Sequence, residues 1–333
     1  MQISCALPPS AEAPALIAEA ERLGYTRAWC YDSPVLYGDV WMTLALAAER
    51  TSTIGLGPAV LVPSLRHPMV NAAAIAHLAE LAPGRVAVTL GAGFTGRMML
   101  GQRPMPWSQV EPYVAAVRAL LRGDEVLWEG KILRMLQPPG HGAPRPLADV
   151  PILLGAEGPK GIAAAERLAD GVFSVGSVQK AGGFGWRATL QFGTVLEDGE
   201  HPTSDRVREA AGPAVAVIYH AVYERAGAGV DGFPGGETWR ESVELAAEDS
   251  RHLSVHDGHL VALNRHDRLI WEQSRDLATQ LTMTGTPAQV RERIAEMEKN
   301  GVTELAYQPV GPDKVRELRA FAAAAGLTGE ATE

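Results

Sequence analysis

The chain has 333 residues, 46% of them apolar and 21% charged, with a formal net charge of −9. That length suits one large α/β barrel or two smaller domains, and it buries a sizeable core without cross-links. The acidic balance excludes a general nucleic-acid binder, which needs a basic stripe, and no apolar run reaches the roughly 18 residues of a membrane span.

In chain order, residues 2–7 read as a first strand. Ser10 caps a helix that runs to Leu23 and stops at Gly24. Residues 28–31 (AWCY) form a second strand. Cys5 and Cys30 fall in these two strands, and two thiols cannot make a disulfide framework, so both are expected as reduced core residues in a cytoplasmic setting. The leading MQISCALPP has no basic region followed by an apolar core, so no signal peptide is expected. A helix over 41–49 precedes a third strand, 54–60. The helical pattern 68–81 then leads to a fourth strand, 85–90. Strand, helix and strand make a βαβ unit, whose right-handed crossover sets the strands parallel. The string Gly91-Ala92-Gly93 follows at once, at the strand end where α/β proteins bring backbone close to a ligand.

A helix over 109–121 ends at Gly123-Asp124, and 125–135 reads as a small hairpin turned by Glu129-Gly130. Residues 137–147 are a Pro/Gly-rich connector. The fifth strand is 151–154, followed by a helix 159–168 and a sixth strand 171–175. The run PAVAVI, 213–218, reads as the seventh. The rhythm then breaks. Residues 219–283 are charged, histidine-bearing and helical in pattern, and read as an insertion before the last helix–strand pair. Thr286 caps a helix 287–299 with Pro287 at its first position. The eighth strand is 304–308, and a closing helix, 313–325, stops at Gly326. Eight repeats give a (β/α)8 TIM barrel, one domain over 1–328, with 329–333 a frayed tail. A doubly wound open sheet is the alternative.

A barrel works at the carboxyl ends of its strands. The residues after the predicted strands include Asp32-Ser33, Ala59-Val60, Gly91-Ala92-Gly93, Gly155–Gly158 and Ser174–Ser177. They are small and nearly free of carboxylates. No acid pair suited to glycoside hydrolysis and no Gly-x-Ser-x-Gly elbow stands out. The pattern suits a planar ring lying against backbone. In Gly155–Gly161 (GAEGPKG) a helix opens at Pro159, so the free N–H groups of Lys160 and Gly161 offer an anion site, to which Lys160 adds charge; an ordinary βα loop is the alternative. Asp32 is either a cofactor hydrogen-bond acceptor or a turn cap. His252, His256 and His259 recur at i, i+4 and i+7, one face of a helix. A hydrogen-bonded face or a substrate-side proton donor is the expected reading, and no metal is expected. Arg66-His67-Pro68 reads as capping.

Together these pieces resemble the luciferase-like superfamily, and more narrowly its deazaflavin-dependent branch, of the methylenetetrahydromethanopterin reductase and glucose-6-phosphate dehydrogenase type. The resemblance covers about 1–180 and 280–325. It is strongest in ERTSTIGLGPAVLVPSLRHPMVNAAAIAHL, PGRVAVTLGAGFTG and VPILLGAEGPKGIAAAERLADGVF. It implies a (β/α)8 barrel with an insertion after the seventh strand, a flavin-type ring in the barrel mouth and a homodimer. By position it implies that Asp32 contacts the cofactor and that Ala59-Val60 carries a non-prolyl cis peptide behind the ring. It places Gly91, Ala92 and Gly93 under the ring and ribityl chain, and makes Glu157, Gly158, Lys160 and Gly161 the phosphate loop.

Three positions depart from the sugar-phosphate dehydrogenase pattern. Ser33 stands where a histidine donor follows the aspartate, Phe94 where a carboxylate follows the glycines, and Tyr37 near a tryptophan position. A substrate other than a sugar phosphate is therefore expected. The reading is an oxidoreductase passing a hydride between coenzyme F420 and a small molecule with an electron-poor double bond. Ser33, Tyr37, His252 and His256 are the proton-source candidates. An FMN-dependent monooxygenase is the runner-up; a non-catalytic deazaflavin or flavin binder is the alternative from another class, and a metal hydrolase is a distant fourth. No nucleic-acid or membrane partner is expected.

Overall fold

Strands joined by helical crossovers must lie parallel, and a closed parallel sheet buries its apolar edges on both faces. The computed structural model, which describes residues 1–144, 146–147, 149–175 and 183–329, has this arrangement. The strands are β1 (Gln2–Leu7), β2 (Arg27–Cys30), β3 (Gly55–Pro58), β4 (Val88–Gly91), β5 (Val126–Trp128), β6 (Lys131–Leu133), β7 (Ile152–Gly155), β8 (Gly171–Val175), β9 (Trp186–Phe192) and β10 (Glu304–Gln308). All but β5 and β6 form one parallel sheet in the order β3-β2-β1-β10-β9-β8-β7-β4. Parallel bridges Leu56–Val86 and Leu61–Leu90 bring its two ends together, giving the (β/α)8 barrel. The β5–β6 hairpin turns at Glu129 (φ 49°) and Gly130 (φ 76°), as the Glu-Gly pair suggests.

Most helix signals in the sequence act locally and hold. Ser10 is not the N-cap of the first helix, Ala13–Arg22, whose N-cap is Glu12; Ser10 Oγ accepts from Ala13 N at 3.2 Å from outside the cap position. Thr286 and Gln289 form a reciprocal capping box before Pro287–Lys299. Gly123 and Gly326 end their helices in the left-handed region. Cys5 and Cys30 are free and buried. The described part of the tail begins packed: a Cβ on Gly329 would lie 2.0 Å from the Arg22 carbonyl oxygen. Residues 330–333 of the expected tail lie outside the described residues.

The seventh strand is not PAVAVI. Residues 213–218 lie within the helix Asp205–Ala226, whose buried Val207, Ala210, Ala211, Ala214 and Val215 recur every three to four positions. The same β-branched residues that suggest a strand also complete this helical stripe, and the longer period wins. The strand is β9, between β8 and β10. Its Ala188 and Leu190 face the barrel interior, while Arg187, Thr189 and Gln191 mask the apolar signal. The intercalated helices therefore start earlier than residue 219. They occupy Asp205–Leu281 and pack on their own core, built around Tyr219, Trp239, Val255 and Trp271.

At the amino-terminal end of the barrel, the buried Glu304 accepts from the indole N–H of Trp29 (2.7 Å) and of Trp186 (2.6 Å). Glu304→Leu is expected to leave two donors without a partner and to cost about 3 kcal/mol. Glu304→Gln, which keeps one acceptor, should lose roughly half of that. Urea midpoints at a constant m value read both; equal losses in the two variants would show that the hydrogen bonds contribute nothing.

Candidate active site

The carboxyl ends of the strands enclose a cavity of about 440 Å³, capped from above by the intercalated helices. Asp32 and Ser33 after β2, Ala59 and Val60 after β3, Gly91–Gly93 at the end of β4 and Gly155–Glu157 after β7 line its barrel side. Val217, Ala221, Arg225, His259 and Leu260 line the other. Residues 176 and 177, the end of the loop expected after β8, lie outside the described residues; Ser174 and Val175 line the cavity.

The peptide between Ala59 and Val60 is cis. The chain turns here so that Val60 enters the cavity wall between two glycines. A Cβ on Gly155 would lie 2.8 Å from Val60 Cγ1, and one on Gly91 3.1 Å from Val60 Cγ2. Gly93 sits at φ 78°, where a Cβ would meet Val62 Cγ1 at 2.4 Å. The sequence suggests that these glycines clear space for a ligand. In the structure they also clear space for the valines on either side of Leu61, and so shape the wall itself.

Asp32 is buried, and its carboxylate is held from behind. Arg66 Nη1 donates to both of its oxygens at 2.7 Å, and Arg66 Nη2 donates to Asp39 at 2.9 Å. Burial pushes the Asp32 carboxyl above the ordinary range, against the pull of the Arg66 guanidinium. Arg66 is therefore more than part of a cap; the capping belongs to His67, whose Nδ1 accepts from Met69 N at 3.2 Å. No local sequence signal links residues 32 and 66, which meet only because β2 and β3 are neighbours.

Gly158 is the N-cap of the helix Pro159–Leu168, and no side chain among the described residues caps that end. No atom of the described residues lies within 4 Å of a Cβ placed on Gly158, and Lys160 is exposed. Gly161 faces the other way: its Cβ would lie 2.7 Å from the Trp107 ring, so its lack of a side chain serves helix packing. Gly158, Lys160 and Gly161 are not part of the cavity lining itself. Glu157 accepts from Val175 N at 2.7 Å, tying the loops after β7 and β8.

The histidine face of the sequence does not form. The helix Arg251–His256 stops at His256, and Gly258 (φ 70°) turns the chain back. This separates the proton-source candidates. His252 packs beside Gly101. His256 is buried and contacts Glu224 at 3.2 Å. Neither lines the cavity; His259 does. Burial and the neighbouring His220 and His256 imidazoles hold His259 well below the usual imidazole range, so it is neutral. Ser33 and Tyr37 do line the cavity. Tyr37 donates its hydroxyl to the His259 carbonyl at 2.7 Å, and burial pushes that phenol up. Gln308 Nε2 donates to the Leu260 carbonyl at 2.8 Å. Two side chains of the barrel thus strap residues 259–260 over its mouth. The Ser33 hydroxyl has no hydrogen-bond partner among the described residues.

Arg225, which the sequence reading did not single out, reaches the cavity from the helix Asp205–Ala226. Its guanidinium carbon lies 5.1 Å from the centre of the Phe94 ring.

The family model described as luciferase-like monooxygenase matches residues 4–304. A 5,10-methylenetetrahydromethanopterin reductase of Archaeoglobus fulgidus is 30% identical, over 90% of this chain and 90% of its own. An F420-dependent glucose-6-phosphate dehydrogenase of Nakamurella multipartita is 33% identical over 38% of this chain and 39% of its own. Among solved structures, the coenzyme F420-dependent tetrahydromethanopterin reductase of Methanopyrus kandleri superimposes with a TM-score of 0.68 at 22% identity, covering 98% of this chain and 99% of that one. No helix among the described residues is long and apolar enough to cross a membrane.

Proposed function

The chain belongs to the luciferase-like monooxygenase family, and from that premise we propose an oxidoreductase that exchanges a hydride between coenzyme F420 and a small organic acceptor with an electron-poor C=C, C=N or nitro group. The observation that carries the reading is the cavity: a pocket at the barrel mouth, whose wall combines the small residues Ala59, Val60 and Gly91–Gly93 with aromatic rings such as Phe173 and Phe192, beside a helix N-terminus that no side chain among the described residues caps. The names of the Nakamurella relative and of the Methanopyrus structure support the cofactor.

The residues fit this group. A flat, largely apolar ring suits the wall formed by Ala59, Val60 and Gly91–Gly93, and a phosphate suits the amide groups of Lys160 and Gly161. When bound, F420 supplies hydride transfer at the ring carbon that replaces the flavin N5. The protein's part is to orient, exclude water and hold protons. Arg66 fixes Asp32 as an acceptor at the cavity wall. Tyr37 keeps its proton on the His259 carbonyl, which holds the strap in place. Ser33 is then the cavity hydroxyl best placed to pass a proton from solvent to the acceptor. Arg225 gives the cavity a cationic side for an anionic group on cofactor or acceptor. The proposal includes a homodimer, for which the exposed Met42, Leu46 and Val70 on the packed helices Val40–Arg50 and Pro68–Leu81 offer an apolar face.

An anaerobic titration tests the cofactor: F420 is expected to bind at least roughly ten-fold more tightly than FMN. Tighter FMN binding with oxygen uptake on reduction would overturn the reading in favour of a monooxygenase. The phosphate position has its own test. Gly158 has extended backbone geometry, and no atom of the described residues lies within 4 Å of an added Cβ, so Gly158→Leu should fold normally yet weaken F420 binding. Lys160→Ala should weaken it only roughly two- to five-fold, by an amount that shrinks in high salt. Unchanged affinity in both variants would remove the phosphate from this helix.

A further inference from the structure

Behind the cavity wall, three imidazoles converge from separate places in the chain. His220 comes from the helix Asp205–Ala226, His256 from the end of Arg251–His256, and His259 from the turn beyond. All three are buried, at 1, 2 and 3% exposure. Their Nδ1 atoms face one another: His259 Nδ1 lies 3.2 Å from His220 Nδ1 and 3.2 Å from His256 Nδ1. One ring nitrogen from each lies within 4.8 Å of the others.

The outer ring nitrogens decide the tautomers. His220 Nε2 lies 3.1 Å from Asp267 Oδ1, which also accepts from the Trp239 indole at 2.9 Å, while Asp267 Oδ2 accepts from Asn264 N at 3.2 Å. Everything around Asp267 donates to it, so His220 carries its proton on Nε2. His256 Nε2 likewise faces Glu224 Oε1 at 3.2 Å and donates to it. With Nε2 of His220 and of His256 each turned toward a carboxylate, the Nδ1 atoms of both face His259 Nδ1, so three ring nitrogens converge on one buried point.

Three converging ring nitrogens can ligate one cation. Tetrahedral zinc bonds of about 2.0–2.1 Å separate neighbouring ligand nitrogens by about 3.3 Å, close to the 3.2 Å from His259 Nδ1 to each of the other two Nδ1 atoms. Imidazoles that ligate a metal characteristically donate their other N–H to a carboxylate, as His220 and His256 do. Two such carboxylates balance a divalent charge in a buried place.

We propose that His220, His256 and His259 bind a divalent transition-metal ion of the zinc class through their Nδ1 atoms. The site is assembled by the tertiary structure; the 252/256/259 pattern of the sequence names two of its three members. His259 belongs both to the cluster and to the cavity wall, so the cavity is the ion's access route. Three protein ligands leave a further position for water or an oxygen donor. The ion cross-links the helix Asp205–Ala226 to residues 256–259, and so fixes the strap that Tyr37 and Gln308 hold from below. The proposal does not rest on the identity of the organic cofactor.

The test is Co²⁺ titration of the full-length, tag-free protein after chelator treatment, followed by displacement with Zn²⁺. The expected result is about one Co²⁺ per chain with a visible d–d band that Zn²⁺ removes, and a melting temperature that rises with Zn²⁺. His220→Gln and His256→Gln should lose the band. Glu224→Gln leaves the three ligands in place and should weaken Co²⁺ binding by about 10–100-fold; because its side chain is partly exposed, it also guards against loss of folding in the histidine variants. No stoichiometric Co²⁺ in the wild type overturns the proposal. So does Co²⁺ binding that is undiminished in folded His220→Gln, His256→Gln and Glu224→Gln.

Discussion

Arg66→Met is expected to destabilise the protein by about 3 kcal/mol at neutral pH, because it leaves a buried carboxylate without its partner. Arg66 donates to both oxygens of Asp32, whose side chain is 1% exposed, against 15% for Arg66 itself. The pH dependence identifies the cause. Burial already raises the Asp32 carboxyl, and loss of the guanidinium raises it further. A carboxyl whose folded pKa exceeds its unfolded value binds more protons when folded, so stability falls as pH rises from the unfolded toward the folded pKa. The deficit of Arg66→Met against wild type should therefore be largest at neutral pH. It should narrow as acid protonates Asp32 in the variant. Urea unfolding between pH 4 and 7 measures this. A deficit that stays constant across that range would assign the loss to packing instead of charge. The same variant should bind the organic cofactor less well, since a protonated Asp32 is no longer a pure acceptor.

Gly93→Ala is expected to cost about 3 kcal/mol and to close part of the cavity. The left-handed backbone (φ 78°) disfavours any Cβ by about 1–2 kcal/mol. The overlap with Val62 Cγ1 at 2.4 Å and Arg97 Cγ at 3.0 Å adds an overpacking cost of about 1–3 kcal/mol. Val62 is buried, so relief requires movement of the wall below it. Gly84→Ala is the control: its φ is 73°, but nothing lies within 4 Å of the added Cβ. It should lose only the backbone part. Equal shifts of the urea midpoint in the two variants would show that Val62 moves aside freely and that Gly93 does not shape the wall.

Much of the architecture was legible because its signals are local. A helix starts where Thr286 and Gln289 can satisfy free amide groups, and it ends where Gly123 or Gly326 adopts a left-handed turn. Such choices depend on a few neighbouring residues. Strand–helix alternation then dictates parallel strands, and the residues after each strand dictate where a site lies. Asp32, Ser33, Ala59, Val60 and Gly91–Gly93 were placed at one cavity by that reasoning alone. The strand at Trp186–Phe192 escaped because its face toward the helices carries polar residues, and PAVAVI misled because β-branched residues can fill a helical stripe when a second core waits for them.

What the sequence by itself determined, then, is the repeat, its caps and the rim on which the cavity sits, since each follows from interactions a few residues long. The tertiary structure decided which charges and rings meet. Asp32 finds Arg66 across neighbouring strands. His220 joins His256 and His259 from 36 and 39 positions away, while His252, on the same short helix as His256, is left beside Gly101. Val60 and Val62 give Gly91, Gly93 and Gly155 a second role. These pairings depend on strand order, on the stop of one helix at His256 and on the turn at Gly258. Each carries a side chain across space to a partner that no spacing in the chain encodes.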